Sequence, residues 1–293
     1  MSWISTPSYF LLTGLTVVLG FLILPSVDVT VQVITVGIGV AFVGLPHGAI
    51  DAYIAQRDGM WRSIGGLAVF ATVYALVALS VIGAWILMPV LSLIAFLIIS
   101  AWHFGAAANA RNTIERWLFG SLLLSLPSFF HLASVAGLFE AISGTPARDL
   151  VPVLQVLAPV ALIGVIAMLM RPRSGEPLRR IDVATISGLV LFAWALPPLV
   201  YFAVYFCALH SPTHFQRVLR LVPSSERSGA LTQTAGFTVL TLFFAGIAFF
   251  VLSDTISLQQ STLQIVFIGL AALTVPHMFL VDGICRLKLG EAK

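Results

Sequence analysis

IGGLAVFATVYALVALSVIGAWILM, Ile64–Met88, runs for 25 residues without a charged side chain. As an α-helix it reaches roughly 37 Å, enough to cross the ~30 Å hydrocarbon core of a bilayer. Similar runs lie on both sides of it: Tyr9–Leu24, Thr30–Ile54, Pro89–Ala108, Trp117–Ile142, Leu150–Met170, Gly229–Leu252 and Thr262–Cys285. None alternates strictly between apolar and polar residues, so a membrane β-barrel is excluded. The chain has 293 residues, 59% hydrophobic and 9% charged, with mean hydropathy +1.04. That leaves too little polar surface to cover a water-soluble globule. The expected class is all-α: a polytopic transmembrane helix bundle of about eight full spans. The first run has no basic residue before it and no small-residue cleavage site after it, so it reads as a span and not as a removable signal. With no soluble segment, repeat or low-complexity linker, residues 1–293 read as one integral membrane domain.

The stretch Ile181–Leu209 is apolar but carries Pro197 and Pro198, where a helix loses backbone hydrogen bonds. Charge decides how to read it. If helices simply alternate, Arg57, Arg62, Arg111, Arg116, Arg171, Arg173, Arg179 and Arg180 share one side, which the positive-inside rule makes cytoplasmic. The opposite loops carry Asp28, Glu140, Arg148, Asp149 and Asp254, with Arg148 the exception. Arg217, Arg220, Arg227, Arg286, Lys288 and Lys293 join the basic side only if Ile181–Leu209 enters the membrane and returns as a Pro-broken hairpin. That topology puts both termini in the cytoplasm; a single long crossing is the competing topology.

The net charge of +3 and pI near 9.1 come from basic residues in short loops. They orient the protein and imply no nucleic acid. Cys207 and Cys285 lie in apolar surroundings without CxxC spacing, so they read as buried thiols.

Six histidines remain: His47, His103, His131, His210, His214 and His277. Ionisable side chains inside apolar spans are expensive and mark a polar interior, an ion path or a cofactor site. Under the hairpin topology His47, His103, His210 and His214 reach the same cytoplasmic depth. His131 lies away from that level and reads as a packing residue. His277 returns to the right depth and reads as a support for a ligand, a fifth polar residue of the cavity or a hydrogen bonder at a helix end. Asp51, four residues after His47, can accept the ring N–H that faces away from a metal. Asp282 can serve His277 similarly, although a five-residue offset turns it from the same face. Imidazole suits Zn, Cu, Fe and Ni alike. No HExxH motif supplies a hydrolase base, and the chain has fewer histidines than the HxxxH and HxxHH clusters of di-iron desaturases. A bis-His haem stays open.

The segments Gly44-Leu45-Pro46-His47-Gly48 with Asp51, Trp102-His103-Phe104-Gly105, His210-Ser211-Pro212-Thr213-His214 and Pro276-His277 with Asp282 resemble those of the Brp/Blh family of membrane β-carotene 15,15′-dioxygenases. The resemblance spans nearly the whole chain. It implies an Fe(2+) cofactor on His47, His103, His210 and His214, and only those four are carried over as ligands; the supporting places of Asp51, His277 and Asp282 rest on spacing and depth alone. It further implies that O2 cleaves the central double bond of all-trans β-carotene to give two all-trans retinal, in a bacterial or archaeal plasma membrane. Substrate entry from lipid and a functional link to a microbial rhodopsin follow from the same resemblance. The alternatives are a transporter or metal permease that uses the histidines as a transit site, and a bis-His haem electron-transfer subunit.

Overall fold

The computed structural model describes residues 6–24, 27–106, 112–170 and 180–284, and every regular element among them is helical. In chain order these are α1 (Thr6–Ile23), α2 (Val29–Gly39), α3 (Leu45–Ala49), α4 (Asp51–Arg57), α5 (Ile64–Leu87), α6 (Pro89–Gly105) and α7 (Thr113–Phe130). Then follow α8 (Leu132–Ser143), α9 (Leu150–Met170), α10 (Arg180–Ala195), α11 (Pro198–Tyr205), α12 (Ser211–Leu221), α13 (Arg227–Ser253) and α14 (Leu258–Met278). Short π-helical turns occupy Val40–Gly44, Phe206–His210 and Phe279–Ile284. Side-chain caps start several helices: Ser63 Oγ accepts from Gly66 N–H, Asn112 Oδ1 from Glu115 N–H and Ser257 Oγ from Gln260 N–H.

Among the described residues, five helical stretches are long and apolar enough to cross a bilayer: Val29–Arg57, Ile64–Leu87, Leu150–Met170, Arg227–Ser253 and Leu258–Val281. A sixth is obtained if α7 and α8 count as one broken span, bent by 113°. Pro7–Ile23, Pro89–Gly105 and Val183–Ala195 are apolar but shorter, so helix length alone supports five or six full crossings rather than eight. The expected interruption at Pro197 and Pro198 is present, between α10 and α11. Many apolar side chains on the long helices point outward, such as Val69, Leu76, Val239, Phe243 and Phe250, each more than half exposed. In water such surface is a liability; against acyl chains it is the required one.

The chain forms two compact units. The first comprises Met1–Val36 and Leu93–His210. In it α7 packs along α9 and α10, and α1 packs on α10 with Phe10 edge-on to Phe192 at 5.3 Å. Glycine governs how closely α6 and α7 approach. A Cβ on Gly105 would collide with the Arg116 carbonyl, and one on Gly120 with the Ala101 carbonyl. Arg116 completes this junction by donating to the Trp102 carbonyl at 2.7 Å, its guanidinium 3.8 Å above the Trp102 ring.

The Trp117–Ile142 stretch, expected as one span, turns sharply at His131. Pro127 has no N–H for the Leu123 carbonyl, and the Tyr201 hydroxyl donates to that carbonyl instead, at 3.0 Å. His131 sits at the corner and donates from Nε2 to the Ala193 carbonyl at 3.0 Å.

The second unit comprises Gly37–Ser92 and Ser211–Lys293. Here α5 packs on α14, and α13 packs on α3 and α14. Ile50, Tyr53, Ile54, Val218, Val222, Ala230 and Leu280 share one apolar cluster. Polar ties pin α4 in place: Arg57 donates to the Leu221 carbonyl at 2.5 Å, Tyr53 to Glu226 at 2.6 Å and Trp61 to the Ala52 carbonyl at 3.1 Å. Arg111, Arg171, Arg173, Arg179, Cys285, Arg286, Lys288 and Lys293 lie outside the described residues, as do the side chains of Arg180 and Asp282.

Candidate metal centre

Each π-turn among the described residues adjoins a histidine, and each of these histidines has a proline within two positions. Val40–Gly44 precedes Pro46-His47, Phe206–His210 ends on a histidine two residues before Pro212, and Phe279–Ile284 follows Pro276-His277. Proline withdraws one N–H from the helical ladder, and the carbonyls four residues before Pro46 and Pro212, those of Phe42 and Ala208, fall within the first two of these widened turns.

In the second unit three imidazoles come together from α3, α12 and α14. Ring centroids are 5.7 Å apart for His47 and His214, 5.5 Å for His47 and His277, and 5.2 Å for His214 and His277, all edge to face. His47 Nδ1 donates to the Gly44 carbonyl, with Ser211 Oγ 3.4 Å from the same nitrogen. That proton fixes the tautomer and makes Nε2 the basic nitrogen of the ring. His277 Nδ1 lies 2.9 Å from both oxygens of Asp51, and the Tyr74 hydroxyl donates to Asp51 Oδ2 at 3.1 Å. Asp51 and His277 are each 2% exposed. The carboxylate expected beside His47 therefore serves His277. The four-residue offset loses its meaning because α3 ends at Ala49 and α4 begins anew at Asp51.

The first unit holds the other two. His103 near the end of α6 and His210 at the end of the π-turn face each other with Nε2 to Nε2 at 3.1 Å and ring centroids 4.9 Å apart. Two imidazole nitrogens bound to one ion at about 2.1 Å and at right angles are separated by about 3 Å, so this pair suits adjacent coordination positions. Phe104 meets the His210 ring edge-on at 4.8 Å, and Phe206 stacks on it at 5.6 Å. These contacts hold one ring orientation. His131 belongs to neither group and has its structural bond to Ala193.

The donor chemistry of both groups fits a transition-metal ion. Imidazoles dominate, the Nδ1 atoms of His47 and His277 are oriented by a carbonyl and a carboxylate, and no thiolate takes part among the described residues. Tyr74 and the placement of His277 beside His47 were not evident from the sequence. The one tyrosine of Ile64–Met88 and the repeated Pro-His dipeptide were the available signals.

The profile of the beta-carotene 15,15′-dioxygenase family matches residues 38–284. The chain belongs to the β-carotene 15,15′-dioxygenase family. A beta-carotene 15,15′-dioxygenase of an uncultured marine bacterium, 66A03, is 36% identical over 258 residues, covering 84% of this chain and 92% of the relative. A probable beta-carotene 15,15′-dioxygenase Blh of Halobacterium salinarum is 25% identical over 285 residues, covering 84% of this chain and 82% of the relative. No solved structure matches. The part shared with the dioxygenase family begins ahead of His47 and ends beyond His277, so it takes in all five histidines of the two groups.

Proposed function

We propose that this protein cleaves the central 15,15′ double bond of all-trans β-carotene with O2 to give two all-trans retinal, using Fe(2+) held by His47, His103, His210 and His214. The observation that carries the reading is the dioxygenase-family match over residues 38–284, the region that contributes every grouped histidine. Both compact units would work as one membrane oxygenase domain. The protein would cross a prokaryotic plasma membrane several times with both termini cytoplasmic, and its retinal would serve a microbial rhodopsin.

Bound ferrous iron supplies the activation of O2 that a closed-shell alkene cannot provide by itself. The protein's share is orientation. The Gly44 carbonyl holds His47 in the tautomer whose Nε2 is basic, and Phe104 and Phe206 fix the plane of His210. In the balanced reaction the carbon–carbon double bond and the O–O bond both break, one oxygen atom goes to each aldehyde, and no proton is gained or lost. No general acid or base is needed. The buried carboxylate of Asp51 is accordingly engaged with His277 and Tyr74. β-Carotene is itself a bilayer solute, so access from lipid avoids any passage through water.

Expression in β-carotene-accumulating bacterial cells tests this. Bleaching of the cells with about two retinal per carotenoid lost is expected. Purified protein that carries iron yet leaves β-carotene intact would overturn it.

A further inference from the structure

We propose that His277 is itself a metal ligand, with Asp51 and Tyr74 as its positioning residues. The inference rests on the iron reading above and adds an imidazole to its four.

Three observations in the second unit carry it. First, His277 stands in the same relation to His47 and His214 as they do to each other, with centroid separations of 5.5, 5.2 and 5.7 Å. A residue supporting a ligand from behind would instead hydrogen-bond to it. In fact, the His47 Nδ1 proton goes to Gly44, and the candidate ligand nitrogens of His47 and His277 lie within 4.8 Å of each other. Secondly, Asp51 accepts from His277 Nδ1 at 2.9 Å through either oxygen, so Nε2 is the nitrogen presented to an ion. Carboxylate, imidazole and metal in sequence form the usual outer-shell device for orienting a histidine ligand and raising its basicity.

Thirdly, Asp51 is 2% exposed, in a protein whose surroundings are hydrocarbon. A carboxyl group buried so fully must have its oxygens partnered, and His277 Nδ1 and the Tyr74 hydroxyl supply those partners, which aims His277 Nε2 away from Asp51 and toward the space shared with His47 and His214. Tyr74 holds the arrangement from α5, with its hydroxyl 3.1 Å from Asp51 Oδ2 and 3.3 Å from the Leu273 carbonyl one turn before Pro276.

The test measures binding of Fe2+, and of Co2+ as a spectroscopic stand-in, to the purified full chain in detergent without carotenoid. His277→Ala should lower Co2+ affinity at least about ten-fold and shift the ligand-field absorption, and His47→Ala should do the same. Asp51→Asn should weaken binding by about 10- to 100-fold, as removal of an outer-shell partner commonly does. Tyr74→Phe should weaken it less, and His131→Ala should leave affinity and spectrum unchanged. His277→Gln guards against misfolding, because it keeps a side chain that can donate to Asp51. It should retain the metal-free melting temperature and still lose affinity. Wild-type affinity and an unshifted spectrum in His277→Gln or His277→Ala would overturn the proposal while leaving the four-histidine reading intact. A wild-type protein that takes up neither metal would remove both.

Discussion

An imidazole inside a bilayer has two ring nitrogens to satisfy. His131 spends one on the Ala193 carbonyl at a helix corner, a structural bond. We expect His131→Ala to lower thermal stability by about 1–2 kcal/mol yet to retain most activity, whereas His103→Ala abolishes it. Equal activity losses in retinal formation assays would refute this division. Tyr205 offers a second check. It is 1% exposed, and its hydroxyl has no hydrogen-bond partner among the described residues. An unpaired buried hydroxyl costs about 1–3 kcal/mol, so Tyr205→Phe should melt no lower than wild type, and a marked drop would show a missing partner. The sequence displayed each grouped histidine but not the pairing among side chains. A four-residue offset pairs Asp51 with His47 only along one continuous helix, and the break at Ile50 places Asp51 against a residue 226 positions away instead.

At the scale of elements, proline is informative only together with what receives the carbonyl it leaves behind. Pro127 and Pro159 both lie inside apolar helices, α7 and α9. Near Pro127 the Tyr201 hydroxyl takes the Leu123 carbonyl, and the chain bends by 113° at His131; α9 continues without a break. No reading of Trp117–Ile142 alone displays Tyr201. Tyr201→Phe should therefore destabilise the protein by about 1–3 kcal/mol, the cost of a buried unsatisfied group, as measured by thermal melting in detergent. Close approach of α6 and α7 gives a second expectation. Gly120→Ala puts a methyl group onto the Ala101 carbonyl and should displace α6 together with His103, at a cost of about 1–3 kcal/mol. Gly83→Ala meets nothing within 4 Å and should be neutral or stabilising. Similar melting temperatures for the two variants would contradict the packing described. The three π-turns could not be foreseen, since they depend on how neighbouring helices accept a shifted backbone.

For the whole molecule, composition alone decided the solvent: 59% hydrophobic and 9% charged residues cannot form a water-facing surface. The number of crossings was less legible, because α1, α6 and Val183–Ala195 are apolar but short, and hydropathy does not separate a thin span from a partly inserted helix. Arg148, the exception to the charge asymmetry, pairs with Glu140 at 2.5 Å and stands alone against the many basic residues of the other side. If that orientation holds, Asp58→Cys should react with an impermeant thiol reagent only from the cytoplasmic face, and Asp254→Cys only from the opposite face. Labelling of both from one side would refute it.

The central claim is that carotenoid cleavage by this protein depends on bound iron. Its most direct test is chelation and reconstitution of the purified protein in lipid nanodiscs supplied with β-carotene and O2. Retinal formation should vanish on iron removal, return in proportion to added Fe2+ but not Zn2+, and yield about two retinal per O2 consumed. Undiminished cleavage by the iron-free protein would contradict the account.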